Sequence, residues 1–175
     1  METSAWVNGF PKSGTHALIK ACELLGVPAT HHHEPWRQGL AIVGRPLLVQ
    51  RDPRNISISW LRHHGKPVTE GTIIKTIRHF DRAPLAQELA AYEPWRYRAT
   101  TIRFEDLVAN VEALRALAKL FGSEVDVDEA YEYLPGGTLT WTGQLSDWTA
   151  VWTPAIDRVW AETGGPALLA RWGYQ

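Results

Sequence analysis

The sequence has a single cysteine, no apolar run long enough to cross a membrane, and no excess of charge of either sign. Cys22 alone cannot form an internal disulfide, which is typical of proteins from a reducing compartment. Residues 1–4 lack the basic and apolar parts of a secretion signal, so we expect a cytoplasmic protein without a membrane span. Eighteen basic residues against nineteen acidic ones create no overall positive field, so we expect no nucleic acid partner.

The composition that remains is that of an ordinary globular protein. Of the 175 residues, 45% are hydrophobic and 21% are charged. A chain of this length can bury most of the surface that its unfolded form exposes, so the simplest prediction is one domain over residues 1–175. Nine tryptophans are many for this length, and a few at the mouth of a pocket would suit a flat or sugar-like molecule.

Segments typical of strands alternate with segments typical of helices. Apolar and β-branched runs predict strands at 5–7, 46–50 and 97–104. Periodicity and caps predict helices at 15–25, 53–64, 110–121 and 154–172, and one or two helices over 71–92 with a break at Pro84. This alternation predicts an α/β fold: a doubly wound, mostly parallel sheet flanked by helices, as in the three-layer sandwich of P-loop NTPases. Ligands of such sheets bind beyond the carboxyl ends of the strands.

The first strand-to-helix turn is Gly9-Phe10-Pro11-Lys12-Ser13-Gly14-Thr15-His16. Backbone N–H groups of such a turn and of the helix that follows converge on a phosphate. The spacing of the two glycines matches the first part of a Walker A loop, but Thr15-His16 replaces the Lys-Ser/Thr pair that should follow, and the lysine lies inside the loop. The alternative is an ordinary turn, because Gly, Pro and Ser are common turn residues.

The run Pro-Lys-Ser-Gly-Thr at the end of a first strand resembles the 5′-phosphosulfate loop of sulfotransferases that use 3′-phosphoadenosine 5′-phosphosulfate. The resemblance implies that the loop binds this cofactor through Pro11, Lys12, Ser13, Gly14, Thr15 and His16. It also implies a catalytic role for Lys12, whose ammonium would neutralise the leaving oxygens. Because a sulfuryl group carries less negative charge than a phosphoryl group, no metal is expected.

The second strand-to-helix turn, Arg51-Asp52-Pro53-Arg54-Asn55, combines a cationic side chain with a strong helix start. Asp52 is a suitable N-cap and Pro53 suits the first helical position. The segment resembles the 3′-phosphate-binding segment of the same sulfotransferases, which implies that Arg51 and Ser59 bind the 3′-phosphate. The alternative is a helix cap beside a surface arginine.

Later stretches resemble the same family in the same order. Residues 102–107 look like its Arg-Tyr-Glu-Asp-Leu segment, which we interpret as structural, and residues 143–148 look like its C-terminal Gly-Asp-Trp loop. The family has basic residues just before that glycine to grip the 3′-phosphate, and here the cofactor-binding positions are Trp141, Thr142 and Gly143. Ala17 replaces an aromatic residue that packs on the adenine in many members, so Trp141 or Trp148 is a candidate for that contact.

A base that deprotonates the acceptor is also expected, and histidine is the natural side chain near neutral pH. The segment His33-Glu34-Pro35 resembles the His-x-Pro part of the family's Lys-x-His-x-Pro segment. It makes His33 the first candidate and His31 the second, with Glu34 as an alternative because some carbohydrate-acting members use a glutamate. The structural alternative is a pair of solvated loop histidines.

Together these segments predict a sulfotransferase that moves a sulfuryl group from 3′-phosphoadenosine 5′-phosphosulfate to a hydroxyl or amine of a small-molecule or carbohydrate acceptor, with 3′,5′-adenosine bisphosphate as product. One alternative is a magnesium-dependent kinase of nucleotides or small molecules. That function would need a Lys-Ser/Thr pair after Gly14 and an acidic residue at a strand end. The other alternative is a nucleotide-binding module without catalysis.

Overall fold

The computed structural model describes residues 4–135 and 147–175. In these ranges strands and helices alternate along the chain. Their order is β1 (Ala5–Gly9), α1 (Thr15–Leu24), β2 (Ala29–His32), β3 (Arg45–Gln50), α2 (Pro53–His63), α3 (Glu70–Arg78), α4 (Leu85–Ala90), a 3₁₀ helix (Glu93–Tyr97), β4 (Thr100–Arg103), α5 (Phe104–Ala109), α6 (Val111–Phe121), α7 (Val127–Glu132), α8 (Pro154–Glu162) and α9 (Gly165–Trp172).

The four described strands form one parallel sheet in the order β2-β1-β3-β4. The predicted α/β fold, a parallel sheet flanked by helices, is confirmed. The chain places β2 on one side of β1 and then crosses to place β3 on the other side. The strand order therefore reverses between β1 and β3, and ligands of open α/β sheets bind at the carboxyl edge of such a reversal.

The chain divides into two compact units. The first contains the described parts of Met1–Arg51 and Pro94–Leu145, and with them the whole sheet, α1, α5, α6 and α7. Its core lies on the sheet face that carries Ala5, Val7 and Leu47, which α1 and α6 cover with side chains such as Leu18 and Leu117. The centre of this face is apolar, as expected of a sheet that buries its strands under helices.

The second unit contains Asp52–Glu93 and the described part of Ser146–Gln175. It consists of α2, α3, α4, α8 and α9, which pack on one another. Its fully buried apolar side chains include Ile56, Ile58, Leu61, Ile73, Ile77, Leu85, Leu89, Ile156, Trp160 and Leu168. No helix in the described ranges is both long and apolar enough to span a bilayer.

Most predicted elements are present, but several boundaries differ from the prediction. The sequence did not predict β2, α5 or α7. The strand predicted at 97–104 spans only 100–103, because a 3₁₀ helix extends to residue 97 and α5 begins at residue 104. The helix predicted at 154–172 is two helices, because Gly164 adopts a left-handed φ of 88° between them. A glycine there costs little, and a helix commonly ends at such a residue.

Candidate functional site

The loop after β1 begins with a tight turn that holds Lys12 in an unusual conformation. The N–H of Ser13 donates to the carbonyl of Phe10 at 3.0 Å, which closes a four-residue turn. Pro11 occupies the second position and Lys12, with φ of 71°, the third, as in a type II turn. A non-glycine residue with positive φ is strained, and such strain concentrates at functional sites.

The remainder of the loop presents polar groups of the kind that bind an anion. The Ser13 hydroxyl is buried and has no hydrogen-bond partner in the described ranges. Gly14 is the N-cap residue of α1 and supplies no side-chain cap, so no N-cap side chain satisfies the N–H groups at the positive end of this helix. A buried hydroxyl without a partner is rare in proteins and is consistent with a ligand that the loop binds.

Arg51, directly after β3, lies beside this loop. Its Nη1 donates to the carbonyl oxygen of Lys12 at 3.1 Å. The guanidinium carbon lies 4.5 Å from the centre of the Phe104 ring, and only 6% of the residue is exposed. The two cationic side chains that the sequence assigned to opposite phosphates of one nucleotide thus follow neighbouring strands at one edge of the sheet.

The proximity of these cations affects the Lys12 ammonium. Partial burial lowers the pKa of Lys12, and the positive charge of Arg51 lowers this pKa further. Both effects oppose the charged form of the lysine. A bound anion would relieve this repulsion, so the electrostatics of the loop favour a negatively charged ligand.

His33, directly after β2, has its ring fixed by the backbone of β1. Its Nδ1 lies 2.6 Å from the carbonyl oxygen of Gly9. Because a carbonyl only accepts, Nδ1 carries the proton, and the neutral ring keeps a lone pair on Nε2. Partial burial of the ring lowers the pKa of His33, and the charge of Lys12 lowers it further. The hydrogen bond to Gly9 acts in the opposite direction and raises this pKa, but the net shift is downward. The residue is nevertheless exposed, so its ring is accessible to a substrate.

His31 and His16 complete a cluster of three imidazoles with His33. The His31 ring centre lies 4.4 Å from that of His33 and 4.6 Å from that of His16. Its Nε2 makes a hydrogen bond of 2.9 Å with the Thr15 hydroxyl. Partial burial and the neighbouring imidazoles lower the pKa of His31 to about 4, and similar causes together with Lys12 lower the pKa of His16. In the described part of the chain no cluster of three or more His, Cys, Asp or Glu side chains is arranged to hold a metal ion.

Glu34, the third candidate base, has its carboxylate 3.4 Å from Nη2 of Arg37 in an exposed ion pair. Its main chain, by contrast, is tied to the sheet: the side chain of Asn8 and the indole of Trp95 both hydrogen-bond to it. The carboxylate thus lies beside an exposed arginine, whereas the backbone of Glu34 is held in place next to His33.

The remaining predicted residues are placed differently. Ser59 lies on α2 in the second unit, half-buried, and its part in the site stays a prediction. The Arg54 guanidinium covers Trp148 at 3.7 Å from the ring centre, so one face of this candidate for the adenine contact is occupied. Three predicted cofactor contacts lie outside the described residues: Trp141, Thr142 and Gly143.

Two residues of the site were not predicted from the sequence. Phe104, which we interpreted only as part of a structural segment, lies under the Arg51 guanidinium, and its ring occupies the space that a Cβ at Gly14 would take. Asn8 was not considered. A signal for it was present, because a polar residue in an otherwise apolar buried strand must find hydrogen-bond partners.

Comparisons with known proteins agree with the fold. No protein-family model matches the sequence, and no curated protein matches it. Among solved structures, the chain is similar to the crystal structure of mouse sulfotransferase SULT7A1 complexed with PAP, with a TM-score of 0.73 and 12% sequence identity. The alignment covers 99% of this chain and 89% of that chain. The α/β fold of this protein therefore resembles that of a PAP-bound sulfotransferase.

Proposed function

We propose that this protein is a sulfotransferase that binds 3′-phosphoadenosine 5′-phosphosulfate at the carboxyl edge of β1 and β3. The observation that carries the proposal is the hydrogen bond between Arg51 and the Lys12 carbonyl, which brings the two expected phosphate-binding cations together where the strand order reverses. The similarity of the fold to a sulfotransferase complexed with PAP supports the same function.

The loop after β1 suits the sulfated end of such a nucleotide. The Ser13 hydroxyl lacks a partner in the described ranges, and the first turn of α1 offers backbone N–H groups without a side-chain cap. When bound, 3′-phosphoadenosine 5′-phosphosulfate supplies an activated sulfuryl group for transfer to a nucleophile. Lys12 would neutralise the negative charge that grows on the leaving oxygens, an electrostatic contribution that needs little rearrangement because the turn already fixes the lysine backbone.

Arg51 would bind the phosphate that distinguishes this nucleotide from other adenine nucleotides. A guanidinium offers two parallel N–H donors to a phosphate, and its charge strengthens both hydrogen bonds. The Phe104 ring below it and the Lys12 carbonyl beside it restrict its orientation before a ligand arrives. Such preorganisation lowers the entropy that binding would otherwise cost.

His33 would accept the proton of the acceptor. Its Nδ1 donates to Gly9, so Nε2 has a free lone pair in the neutral ring, and a lowered pKa keeps the ring neutral at pH 7. A base with these properties can take a proton from a hydroxyl or an amine in the transition state. His31 is engaged with Thr15, and we propose that it shapes the pocket around the loop.

The kinase alternative has less support. Gly14 is followed by Thr15-His16, whereas a Walker A loop has a Lys-Ser/Thr pair at that point. Asp52, the acidic residue two positions after β3, caps α2 by accepting from the Arg54 N–H at 2.8 Å and also pairs with the Arg54 guanidinium. Its carboxylate is therefore engaged in holding the start of a helix.

The test compares nucleotides as stabilising ligands. Thermal unfolding is measured with 3′,5′-adenosine bisphosphate, with adenosine 5′-monophosphate, and with ATP plus Mg²⁺, because a ligand that binds the folded state raises its stability. We expect the largest rise in Tm with the bisphosphate. A larger rise with ATP plus Mg²⁺ than with the bisphosphate would support the kinase alternative and overturn the proposal.

Catalysis is tested separately from binding. Transfer of labelled sulfate to a panel of phenolic and carbohydrate acceptors is measured for the wild type and for His33→Gln. We expect the substitution to lower kcat by roughly a hundredfold or more, which is the usual contribution of a general base, and to leave stabilisation by the bisphosphate intact. Stabilisation by the bisphosphate without transfer to any acceptor would indicate a nucleotide-binding module.

A further inference from the structure

The main chain at Glu34 is held by three hydrogen bonds from buried side chains of the first unit. The Asn8 amide donates from Nδ2 to the Glu34 carbonyl and accepts from the Glu34 N–H, both at 2.9 Å. Trp95 donates from Nε1 to the same carbonyl, also at 2.9 Å. Asn8 and Trp95 are both completely buried.

These contacts replace the strand ladder where it stops. The parallel pairing of β1 with β2 ends at Asn8 and His32. Beyond this point the carbonyl of Gly9, the last residue of β1, makes a hydrogen bond with the ring of His33. The Asn8 side chain then binds both the N–H and the C=O of Glu34, as a neighbouring strand would. A loop that leaves a sheet is usually mobile, but here two successive residues remain anchored to β1.

We propose that Asn8 and Trp95 are positioning residues for His33. By fixing the backbone of Glu34, they hold the His33 ring within reach of the Gly9 carbonyl and so select the tautomer that carries its proton on Nδ1. The assignment of His33 as base rests on the proposed function, whereas the tautomer depends only on the hydrogen bonds described here.

The chemical consequence follows from the two nitrogens of imidazole. In a neutral imidazole one nitrogen carries the proton and the other carries a lone pair, so a hydrogen bond from the protein at either nitrogen fixes the tautomer. If the loop moved away from β1, the ring would lose the Gly9 carbonyl and exchange between tautomers. Nε2 would then carry a proton for part of the time, and during that time it could not take the proton of the substrate hydroxyl or amine.

The matched variants separate this role from general stability. Asn8→Ala removes both amide hydrogen bonds, and Trp95→Phe removes the indole donor while it keeps an aromatic ring against Trp6 and Trp36. The control is Leu48→Ala, a buried residue that pairs with Asn8 across β1 and β3. It weakens the same unit without removing a hydrogen bond to Glu34.

Two measurements are made on each variant. The first is the ¹⁵N NMR spectrum of the His33 ring, assigned by comparison with His33→Gln, which reports the tautomer directly. We expect the Nδ1–H form in the wild type and in Leu48→Ala, and a mixture in Asn8→Ala. The second is sulfate transfer, for which we expect kcat to fall roughly tenfold to a hundredfold in Asn8→Ala because small displacements of a catalytic group are costly.

The outcomes distinguish this proposal from the proposed function. A folded Asn8→Ala protein that keeps the pure Nδ1–H form would overturn the positioning role, whatever its activity. The assignment of His33 as base would be overturned if the wild type transferred no sulfate or if His33→Gln left kcat unchanged. In either case the tautomer measurement alone would test the positioning role of Asn8. If Asn8→Ala does not fold, Trp95→Phe decides: we expect a partial loss of the Nδ1–H form, and an unchanged ring spectrum contradicts the proposal.

Discussion

The guanidinium of Arg51 donates a hydrogen bond to the carbonyl oxygen of Lys12, 39 residues earlier in the chain and 3.1 Å away. Lys12 follows β1 and Arg51 follows β3, so this contact joins two turns that only the reversal of strand order brings together. Because Arg51 holds the backbone of the lysine and also lowers the pKa of its ammonium, we propose that the two residues form one anion-binding element. Substitution of either residue should therefore alter how the other is placed and how strongly it binds an anion.

The first prediction concerns the shape of the arginine. Arg51→Lys keeps the charge but removes the planar fork and the Nη1 contact with the Lys12 carbonyl. We expect 3′,5′-adenosine bisphosphate to bind roughly tenfold to a hundredfold more weakly, since hydrogen bonds to charged groups contribute about 1.5–3 kcal/mol. Isothermal titration calorimetry measures the affinity.

The matched control for this substitution is Arg45→Lys. Arg45 begins the same strand, β3, and its guanidinium also lies over a phenylalanine, Phe121, at 5.9 Å from the ring centre. We expect this control to bind the bisphosphate like the wild type. Equal losses of affinity in the two variants would show that Arg51 has no specific role at the site.

The second prediction uses the strained turn at Lys12. Lys12→Ala retains a Cβ at a φ of 71°, whereas Lys12→Gly removes the steric conflict, so the glycine variant should be more stable than the alanine variant by about 1 kcal/mol. Both variants should lose stabilisation by the bisphosphate because both lack the ammonium. Urea denaturation with and without the ligand measures both effects. An alanine variant as stable as the glycine variant would mean that the turn carries no strain.

Features of the sequence that act over a few residues predicted their part of the structure well. Asp52 caps α2 through the Arg54 N–H, and Asn110 caps α6 through the N–H groups of Glu112 and Ala113. Gly122 ends α6 in a left-handed conformation. In each case the residue interacts with its own neighbours in sequence, so no knowledge of the tertiary fold was needed.

Interactions between distant residues could not be predicted in the same way. β2 contains two consecutive histidines and lacks the apolar alternation of a strand, yet pairing with β1 makes it one. The Phe104 ring packs under the Arg51 guanidinium and against Gly14, which lies 90 residues earlier in the sequence. Such contacts depend on which strands become neighbours, and tertiary packing overrides local propensity in strands more than in helices.

The third prediction concerns that close packing at Gly14. Gly14 has φ of 109°, and a Cβ there would collide with the Phe104 ring. Gly14→Ala should therefore lower the free energy of unfolding by about 2–4 kcal/mol, through backbone strain and overpacking together. Gly71→Ala is the control, because a Cβ at this position in α3 would meet no atom within 4 Å apart from its own helical backbone and chain neighbours. We expect it to be neutral or to stabilise the helix by up to about 1 kcal/mol. Equal effects in chemical denaturation would contradict the assigned packing.

The last prediction is a dependence of stability on pH. The pKa of His31 is lowered to about 4 in the folded protein, and the pKa of His33 is lowered as well. Between pH 6.5 and about 4 the unfolded chain therefore binds more protons at these sites than the folded chain does, so stability rises with pH and falls on acidification. Free energies of unfolding measured by urea denaturation at a series of pH values should show this slope. His31→Gln should reduce this slope, because glutamine keeps a hydrogen-bonding group near Thr15 but does not titrate. His79→Gln, in the second unit, is the control for the loss of one imidazole. If both variants reduce the slope equally, the histidine cluster beside the loop does not cause it.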